Sequence, residues 1–340
     1  MTRVLVASYL EPECVERIRT KIHQVDVIYE PELLPRPRYR SDHDGNPVDL
    51  SEAGRQRWAE LLKSADVMFD FDWDQPALMP ARCPNLRWVQ ATSAGIGEVV
   101  AEAGLADAPF AITTAAGVHA VPLAEFVVAG VLYLIKNFPL LELRKRERVW
   151  ERFSGGELSG RSAAIVGLGA VGRQVGLTLH HLGVGVTGVS RRAGIEAPPG
   201  FRTVIPIGHL DDAINGVDLL VVSCPLTSET RGLVGARELA LLKAGAIVTN
   251  IGRGPVIEEK ALLEAIEKGH LGGAVLDVFD REPLPSDSPF WELPNVLVSP
   301  HSASTVANEN MRLVDLFIDN LRRFLDGESL VNRYYPDRGY

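Results

Sequence analysis

The segment at residues 163–176, AAIVGLGAVGRQVG, contains the strongest indication of the fold in this chain. It joins a short apolar run to three glycines, Gly167, Gly169 and Gly172, and then to a helical pattern. This order predicts a buried strand, a tight turn and a helix start, which together bind a dinucleotide pyrophosphate. Gly167 permits the turn, Gly169 leaves room for the phosphates, and Gly172 lets helix and strand pack closely. A glycine-rich turn without a ligand is the alternative, and the flanking strand and helix favour the binding site.

The remainder of the chain alternates predicted strands and helices, which indicates doubly wound parallel α/β sheets. After the glycine motif, strands are predicted at 185–189, 218–222, 246–250, 273–276 and 296–299, with helices at 210–214 and 258–268. Before it, strands are predicted at 3–8, 25–29, 66–69, 87–90 and 110–113, with helices at 11–20 and 51–63.

Three further segments predict a loop and two helices. Residues 31–47 are rich in proline, arginine and aspartate, and predict an exposed loop with solvated charges. The stretch 118–136 predicts a helix so apolar that it must be buried nearly all round, between domains or between subunits. A final amphipathic helix at 305–325 has no strand after it, so we expect it to return to the first domain.

Size and composition limit the possible functions. A chain of 340 residues with 46% hydrophobic residues favours two domains. The net charge of −9 argues against binding to nucleic acid or anionic membranes. Its three cysteines lack disulfide-framework or metal-ligand spacing, so no metal is expected and a reducing cytoplasm fits. No apolar run approaches about 18 uncharged residues, so neither export nor a membrane span is expected.

Three ionisable residues follow predicted strands of the second sheet. Arg253 lies in NIGRG, Glu282 in LDVFDREP and His301 in SPHS. Each residue alone has an ordinary structural explanation: Arg253 as a surface charge, Glu282 as a turn residue and His301 as a packed histidine. Together they provide a planar fork for a carboxylate, a proton donor, and a carboxylate to orient that donor. Because doubly wound sheets bind ligands at the carboxyl ends of their strands, the set predicts an active site.

The chain resembles the D-isomer-specific 2-hydroxyacid dehydrogenases over nearly its whole length. The resemblance implies a discontinuous flavodoxin-like α/β substrate domain at 1–112 and 302–340, and a Rossmann-type NAD(P)-binding domain at 113–301. It also implies a homodimer built on the apolar helix. The segments that carry it appear in order as VGLGAVG, SCPLTSET, NIGRGPVIEEKAL, LDVFDREPLP and LPNVLVSPHSAS.

The resemblance also implies roles for individual residues. Arg253, Glu282 and His301 match the family's catalytic positions, with His301 supplying the proton. Asp277 matches the acid that holds the nicotinamide carboxamide, and Pro225 matches the wall beside the adenine. The loop Ser93, Ala94 and Gly95 matches the segment whose N–H groups help to bind the substrate carboxylate. Further cofactor contacts are expected at Leu168, Ala170, Val171, Cys224, Thr230 and Ile251, in addition to Arg253 and His301.

One departure concerns the cofactor. NAD-preferring members end the strand after the glycine helix in an acid, whereas this chain has Ser190 there, followed by Arg191 and Arg192. Losing a negative charge and gaining two positive ones favours a 2′-phosphate, so we expect NADP(H) to be preferred, with NAD(H) left open. The alternative is a solvated basic turn.

The leading interpretation is therefore a cytoplasmic reductase of small 2-oxoacids, with glyoxylate and hydroxypyruvate as the substrates that the resemblance suggests. Trp73, after a strand of the first domain, is expected to limit the size of the substrate. Oxidation of a phosphoglycerate-type D-2-hydroxyacid is the second reading; the NADP-like loop and the lack of a regulatory domain weigh against it. A third is a cofactor-sensing, corepressor-like binding protein, disfavoured by the acidic composition.

Overall fold

The computed structural model describes residues 1–336. The chain divides into two compact units. One contains Met1–His119 together with the described residues from Thr305 onward, and the other contains Ala120–Ser304. Residues 113–119, expected to open the second domain, pack with the first unit. Thr113 ends the last strand of the first sheet, and Ala115 and Val118 lie in an apolar cluster of the first unit.

The first unit is a five-stranded parallel sheet with helices on both faces. The strand order is β2-β1-β3-β4-β5. The strands are β1 (Thr2–Val6), β2 (Val25–Ile28), β3 (Val67–Phe69), β4 (Trp88–Gln90) and β5 (Ala111–Thr113). With helices numbered along the whole chain, this unit contains α1 (Pro12–Lys21), α2 (Glu52–Ser64), α3 (Met79–Arg82), α4 (Gly97–Glu102) and α11 (Glu309–Asp326).

Alternation of side chains along β1 separates the two layers of this core. Val4 and Val6 belong to the apolar cluster that includes α1 and α11, whereas Leu5 belongs to the cluster that includes α2. Successive residues of a strand point to opposite faces, so a short buried strand serves both layers. The C-terminal helix α11 thus completes the first unit, with Phe317 stacked on Trp88 of β4 at a centroid distance of 5.2 Å.

The second unit is a seven-stranded parallel sheet in the order β12-β11-β10-β9-β6-β7-β8. Its strands are β6 (Ser162–Val166), β7 (Gly185–Ser190), β8 (Phe201–Pro206), β9 (Leu219–Val222), β10 (Ala246–Asn250), β11 (Leu271–Leu276) and β12 (Val296–Val298). Its helices are α5 (Ala120–Ile135), α6 (Phe138–Glu147), α7 (Ala170–His181), α8 (Leu210–Ile214), α9 (Ala236–Leu241) and α10 (Glu259–Glu267). The order reverses at β6, between β7 and β9, which places the glycine motif at the topological switch point of the sheet.

Within one chain, the apolar helix α5 is buried on one face. Val127 and Val131 are fully buried in the core of the second unit, and Gly130 is so close to β11 that a Cβ there would lie 2.5 Å from Val275. The other face is partly exposed, with Val121 42% accessible. Within residues 1–336 no single helix meets the length and apolarity of a membrane span, and α5 and α6 do so only as a pair bent by 58°.

The charges of the 31–47 segment are not all solvated, contrary to expectation. Asp42 is 3% exposed and accepts hydrogen bonds from Nε and Nη2 of Arg38 at 2.7 and 2.9 Å. The guanidinium and the N–H of Gly45 hold the pKa of this carboxyl far below its ordinary value, although burial opposes them. The segment is therefore a loop ordered by an internal ion pair.

Candidate active site

The three glycines of the motif have three different surroundings. Gly167 has φ +100°, a conformation that L side chains rarely adopt, and a Cβ there would lie 2.7 Å from the backbone N of Cys224. A Cβ on Gly172 would lie 1.9 Å from the carbonyl oxygen of Gly167, so helix α7 packs directly on the turn. Around Gly169 no atom lies within 4 Å of a Cβ position. The motif is thus tight at its two ends and open at its centre.

The open centre fits the pyrophosphate of a dinucleotide. Gly169 is the N-cap of α7, and no side chain caps the helix there. The first N–H groups of a helix have no intrahelical acceptor, and they carry the positive end of the helix dipole. The N–H groups of Ala170 and Val171 are of this kind, and Leu168 lies in the same turn. An anion beside Gly169 would receive these hydrogen bonds.

The end of β7 carries the residues predicted to select the cofactor. Ser190 is the last residue of the strand, and its Oγ accepts a hydrogen bond from the N–H of Arg192 at 3.1 Å. Nη1 of Arg191 lies 3.9 Å from Oε2 of Glu229, and both side chains are largely exposed. A 2′-phosphate bound by Arg191 would therefore have the Glu229 carboxylate nearby.

Two loops after β9 and β10 are held against each other. The hydroxyl of Thr230 donates to the carbonyl oxygen of Pro225 at 2.7 Å, which closes the turn that follows β9. Cys224 is buried in this turn, and burial raises the pKa of its thiol to about 11. The N–H of Ile251, after β10, donates to the carbonyl of Val222 in β9 at 3.0 Å. These predicted cofactor contacts thus lie on two fixed, adjacent strand ends.

Arg253 is positioned by its own loop and by a backbone contact. The side chain of Asn250 donates to the carbonyl of Arg253 at 3.0 Å and accepts from the N–H of Gly252 at 3.1 Å. A Cβ on Gly254 would lie 2.0 Å from the carbonyl carbon of Phe279. The loop that carries Arg253 is therefore pressed against the segment that leads to Glu282.

Glu282 and His301 form a direct pair. Nδ1 of His301 lies 2.8 Å from Oε2 of Glu282, and Oε1 of Glu282 accepts from the N–H of Phe279 at 3.0 Å. His301 has φ +54°, and its own N–H donates to the carbonyl of Asp277 at 3.0 Å. The contact of Nδ1 with Glu282 and the backbone hydrogen bond to Asp277 together fix the orientation of the imidazole ring.

The pair shifts the acidity of both partners. The hydrogen bond to Glu282 raises the pKa of His301 above its ordinary value, against the opposing effects of burial and of the Arg253 charge. Burial would raise the pKa of Glu282, but hydrogen bonds from His301 and from the Phe279 N–H outweigh it, and the pKa is lowered. The arrangement therefore favours an imidazolium beside a carboxylate.

Asp277, expected to hold a carboxamide, is already engaged through one oxygen. It is 2% exposed, and Oδ1 accepts from the hydroxyl of Ser299 at 2.6 Å and from the N–H groups of Ser302 and Ala303 at 2.9 and 3.0 Å. Oδ1 thus fixes the turn that contains His301. This structural role was not expected from the sequence.

The predicted substrate residues belong to the first unit. The carbonyl of Ser93 accepts from the N–H of Ala115 at 3.0 Å, and the Gly95 N–H donates to the Ser93 hydroxyl at 3.3 Å. The N–H groups of Ser93 and Ala94 donate to no acceptor within residues 1–336. Trp73 is 36% exposed, and its ring meets that of buried Phe71 edge-on at 5.4 Å. These groups offer N–H donors and one aromatic surface.

Sequence reasoning missed several residues that support the site. Asn250 and Gly254 fix the Arg253 loop, and Glu259 accepts the N–H of Asp280 at 2.6 Å, two residues before Glu282. Burial, with the nearby Asp280 and Glu282 carboxylates, raises the pKa of Glu259. All three lie within or beside the NIGRGPVIEE segment, where a strand end followed by glycines was the available signal.

A sequence model described as D-isomer specific 2-hydroxyacid dehydrogenase, NAD binding domain, matches residues 128–303. The glyoxylate reductase of Thermofilum pendens is 31% identical over 74% of this chain and 76% of its own length. D-3-phosphoglycerate dehydrogenase of Methanocaldococcus jannaschii is 27% identical over 82% of this chain, which spans 53% of that protein.

A solved structure is similar over the whole chain. It is the NADPH-dependent glyoxylate/hydroxypyruvate reductase of Sinorhizobium meliloti in complex with NADP and sulfate. The alignment covers 100% of both chains with a TM-score of 0.77 and 27% identity. The two α/β units described above are therefore the architecture of a 2-hydroxyacid dehydrogenase.

Proposed function

Because this chain belongs to the D-isomer-specific 2-hydroxyacid dehydrogenase family of NAD(P)-dependent oxidoreductases, we propose that it reduces small 2-oxoacids to D-2-hydroxyacids. Glyoxylate and hydroxypyruvate are the leading substrates, and NADPH is the preferred reductant. The proposal rests on one observation: Nδ1 of His301 lies 2.8 Å from Oε2 of Glu282. The positive charge of Arg253 acts to lower the pKa of both groups. Such a set binds a carboxylate and protonates a neighbouring oxygen.

Arg253 binds the carboxylate of the substrate. Its guanidinium presents paired donors in a plane, which match a carboxylate in a bidentate geometry. Asn250 and the close contact of Gly254 with Phe279 hold the loop that carries it. The substrate carbonyl is thereby held in one orientation, and positioning of this kind lowers the barrier without any change in chemistry.

His301 supplies the proton. Negative charge develops on the 2-oxo oxygen during reduction, and an imidazolium is the group that neutralises it. Glu282 keeps His301 protonated to a higher pH and fixes its ring through Nδ1, which leaves Nε2 to donate. In the oxidative direction, neutral His301 accepts the proton from the hydroxyl group.

The cofactor is held by the turn at Gly167–Gly172 and by the loops after β7, β9 and β10. The open space at Gly169 and the N–H groups at the start of α7 fit a pyrophosphate. When bound, the nicotinamide cofactor supplies the hydride. Asp277 and Pro225 are proposed to contact its carboxamide and its adenine, and the contacts at Cys224, Thr230 and Ile251 complete the set.

The preference for NADPH is supported by the end of β7. Ser190 stands where an acid would repel a 2′-phosphate, and Arg191 and Arg192 follow it. The Sinorhizobium meliloti reductase is named as NADPH-dependent, which agrees with this reading. Trp73 and the loop of Ser93, Ala94 and Gly95 are proposed to contact the substrate, with Trp73 excluding bulky 2-oxoacids.

Oxidation of a phosphoglycerate-type substrate is the second candidate, favoured by similarity to D-3-phosphoglycerate dehydrogenases. Initial rates with a panel of 2-oxoacids, with NADPH and with NADH, test the proposal. Glyoxylate or hydroxypyruvate should give the highest kcat/KM, above phenylpyruvate. Faster oxidation of phosphoglycerate than reduction of every 2-oxoacid would favour the second candidate. Cofactor binding without turnover would favour a sensing protein.

A further inference from the structure

A buried polar cluster lies at the carboxyl ends of β1, β3 and β4 in the first unit. Ser8 follows β1, Asp70 follows β3 and Thr92 follows β4, and their exposures are 1%, 0% and 6%. The order β2-β1-β3 places the topological switch point of this sheet between β1 and β3, where doubly wound sheets bind their ligands. Here Nδ1 of His43 lies 3.1 Å from the Ser8 hydroxyl oxygen.

Asp70 is the centre of this cluster. Its Oδ1 accepts from the N–H of Phe71 at 3.0 Å, and its Oδ2 accepts from the hydroxyl of Thr92 at 3.1 Å. Its own N–H donates to the carbonyl of Gln90 at 2.8 Å. Its φ of +73° lies in the left-handed region, which a residue other than glycine keeps only where its surroundings hold it.

The charge state of Asp70 depends on its neighbours. Burial raises the pKa of the carboxyl, whereas the nearby His43 and hydrogen-bonding interactions with Trp73, the Phe71 N–H and Ser8 act against that increase. The Nε2 atom of His43 is buried and has no hydrogen-bond partner within residues 1–336. A cluster with so little access to water and so many donors directed at one carboxyl group is suited to fixing geometry.

The two segments that Asp70 holds are those proposed to contact the substrate. Thr92 directly precedes the loop of Ser93, Ala94 and Gly95. Phe71 packs edge-on against Trp73 with ring centroids 5.4 Å apart. One buried side chain therefore connects the N–H donors of the loop to the aromatic ring.

We infer that Asp70 is a positioning residue for the 2-oxoacid: its two carboxylate oxygens hold the 93–95 loop and the Trp73 segment in a single arrangement. This inference rests on the proposed function, because it assigns the two segments to the substrate. Thr92 is the route to the loop, and Phe71 is the route to Trp73. Losing Asp70 should weaken substrate binding and leave cofactor binding, which depends on the second unit, unchanged.

Asp72 provides a matched control in the same segment. It is 2% exposed, accepts from Nε1 of Trp58 at 3.1 Å and pairs with Nη1 of Arg82 at 2.6 Å. Burial raises the pKa of this carboxyl too, although the Trp58 and Arg82 interactions oppose it. Its partners lie on α2 and α3 rather than on the 93–95 loop. Asp72 therefore has the burial of Asp70, and lies in the same segment, without a hydrogen bond to Thr92 at the start of the 93–95 loop.

The experiment compares the parent with Asp70→Asn, Thr92→Val and Asp72→Asn. Asparagine tolerates positive φ, so Asp70→Asn keeps the backbone and changes the carboxylate. We expect Asp70→Asn and Thr92→Val to raise KM for glyoxylate about tenfold, as for a lost buried hydrogen bond, with kcat and the Kd for NADPH nearly unchanged. Amide hydrogen exchange of buried Ala115, whose N–H donates to the Ser93 carbonyl, should also become faster. Asp72→Asn should lower Tm while leaving the exchange of Ala115 unchanged.

Three results would overturn the inference. One is unchanged KM and exchange in both Asp70→Asn and Thr92→Val, of which Thr92→Val remains informative if Asp70→Asn folds poorly. Another is equally faster exchange of Ala115 in Asp72→Asn, which would indicate general destabilisation. A parent inactive on every 2-oxoacid would contradict the proposed function itself. In that case unchanged exchange of Ala115 in Asp70→Asn and Thr92→Val would overturn the positioning role as well, and faster exchange would preserve it.

Discussion

His301 Nδ1 lies 2.8 Å from Glu282 Oε2, and the other oxygen of the same carboxylate is held by the backbone N–H of Phe279. The carboxylate is thus fixed on one side and directed at the imidazole on the other. This relationship makes the protonation of His301 a property of the pair, because each charge stabilises the other.

Glu282→Gln should move the pH dependence of reduction. The carboxylate raises the pKa of His301, so its neutralisation lowers that pKa, and the imidazolium is lost at a lower pH. The alkaline limb of kcat/KM for glyoxylate reduction should therefore shift to lower pH, with the rate at low pH least affected. The pH profile of the parent is the reference, and an alkaline limb in the same place would show that Glu282 does not tune His301.

Two glycines of the same motif should respond differently to alanine. Gly169→Ala meets no atom within 4 Å and has φ −69°, so Tm should be unchanged, but the added methyl occupies the space proposed for the pyrophosphate. Gly172→Ala would place a Cβ 1.9 Å from the Gly167 carbonyl oxygen and should destabilise by about 1–3 kcal/mol or more. Calorimetry and NADPH titration measure the two effects. Parent-like NADPH affinity in Gly169→Ala would place the pyrophosphate elsewhere.

The preference for NADPH should depend on the basic pair after Ser190. Replacing both Arg191 and Arg192 by Ala should lower kcat/KM with NADPH about ten- to hundredfold and leave NADH almost unaffected, because a hydrogen bond to a charged group contributes about 1.5–3 kcal/mol. The control is Glu229→Gln, which removes the carboxylate 3.9 Å from Arg191 and should modestly increase the preference. A preference that survives the double substitution would locate selectivity outside this loop.

We expect a homodimer, because an apolar surface continues from the exposed side of α5 through α6. Phe138, Leu141 and Leu143 are 44%, 42% and 50% exposed, and Trp150 is 99% exposed. Patches of this kind mark interaction sites. Light scattering should give twice the 37.1 kDa chain mass. Leu141→Glu should weaken the dimer, whereas Leu182→Glu, at a leucine 40% exposed after α7, should not. A monomer at micromolar concentration would contradict the expectation.

The local sequence pattern was sufficient to predict those strands and helices whose own residues show a clear apolar pattern. Most strands from β6 to β12 are short apolar runs, and the sequence predicts their positions to within a few residues. Strand β8 was missed because FRTVIP begins with Phe201, continues with exposed Arg202 and Thr203, and pairs only with β7 at the sheet edge. Helix α6 was missed because it buries no residue, so FPLLELRKRE has no apolar period.

The sequence predicted the candidate site only through the rule that doubly wound sheets bind ligands at the carboxyl ends of their strands. That rule selected Arg253, Glu282 and His301, and the structure brings Glu282 and His301 into contact. The burial of Asp42 and the bond from Thr92 to Asp70, 22 residues apart in sequence, depend on tertiary packing that no local pattern records.

We propose above all that this protein reduces small 2-oxoacids with a proton from His301. The most direct measurement is kcat/KM for glyoxylate and hydroxypyruvate with NADPH, in the parent and in His301→Ala, together with the Kd for NADPH. We expect turnover in the parent and a loss of about 10²–10⁴-fold in the variant, with a far smaller change in Kd, because a general acid contributes about that factor to the chemical step. No turnover of any 2-oxoacid by the parent, or a His301→Ala variant as active as the parent, would contradict it.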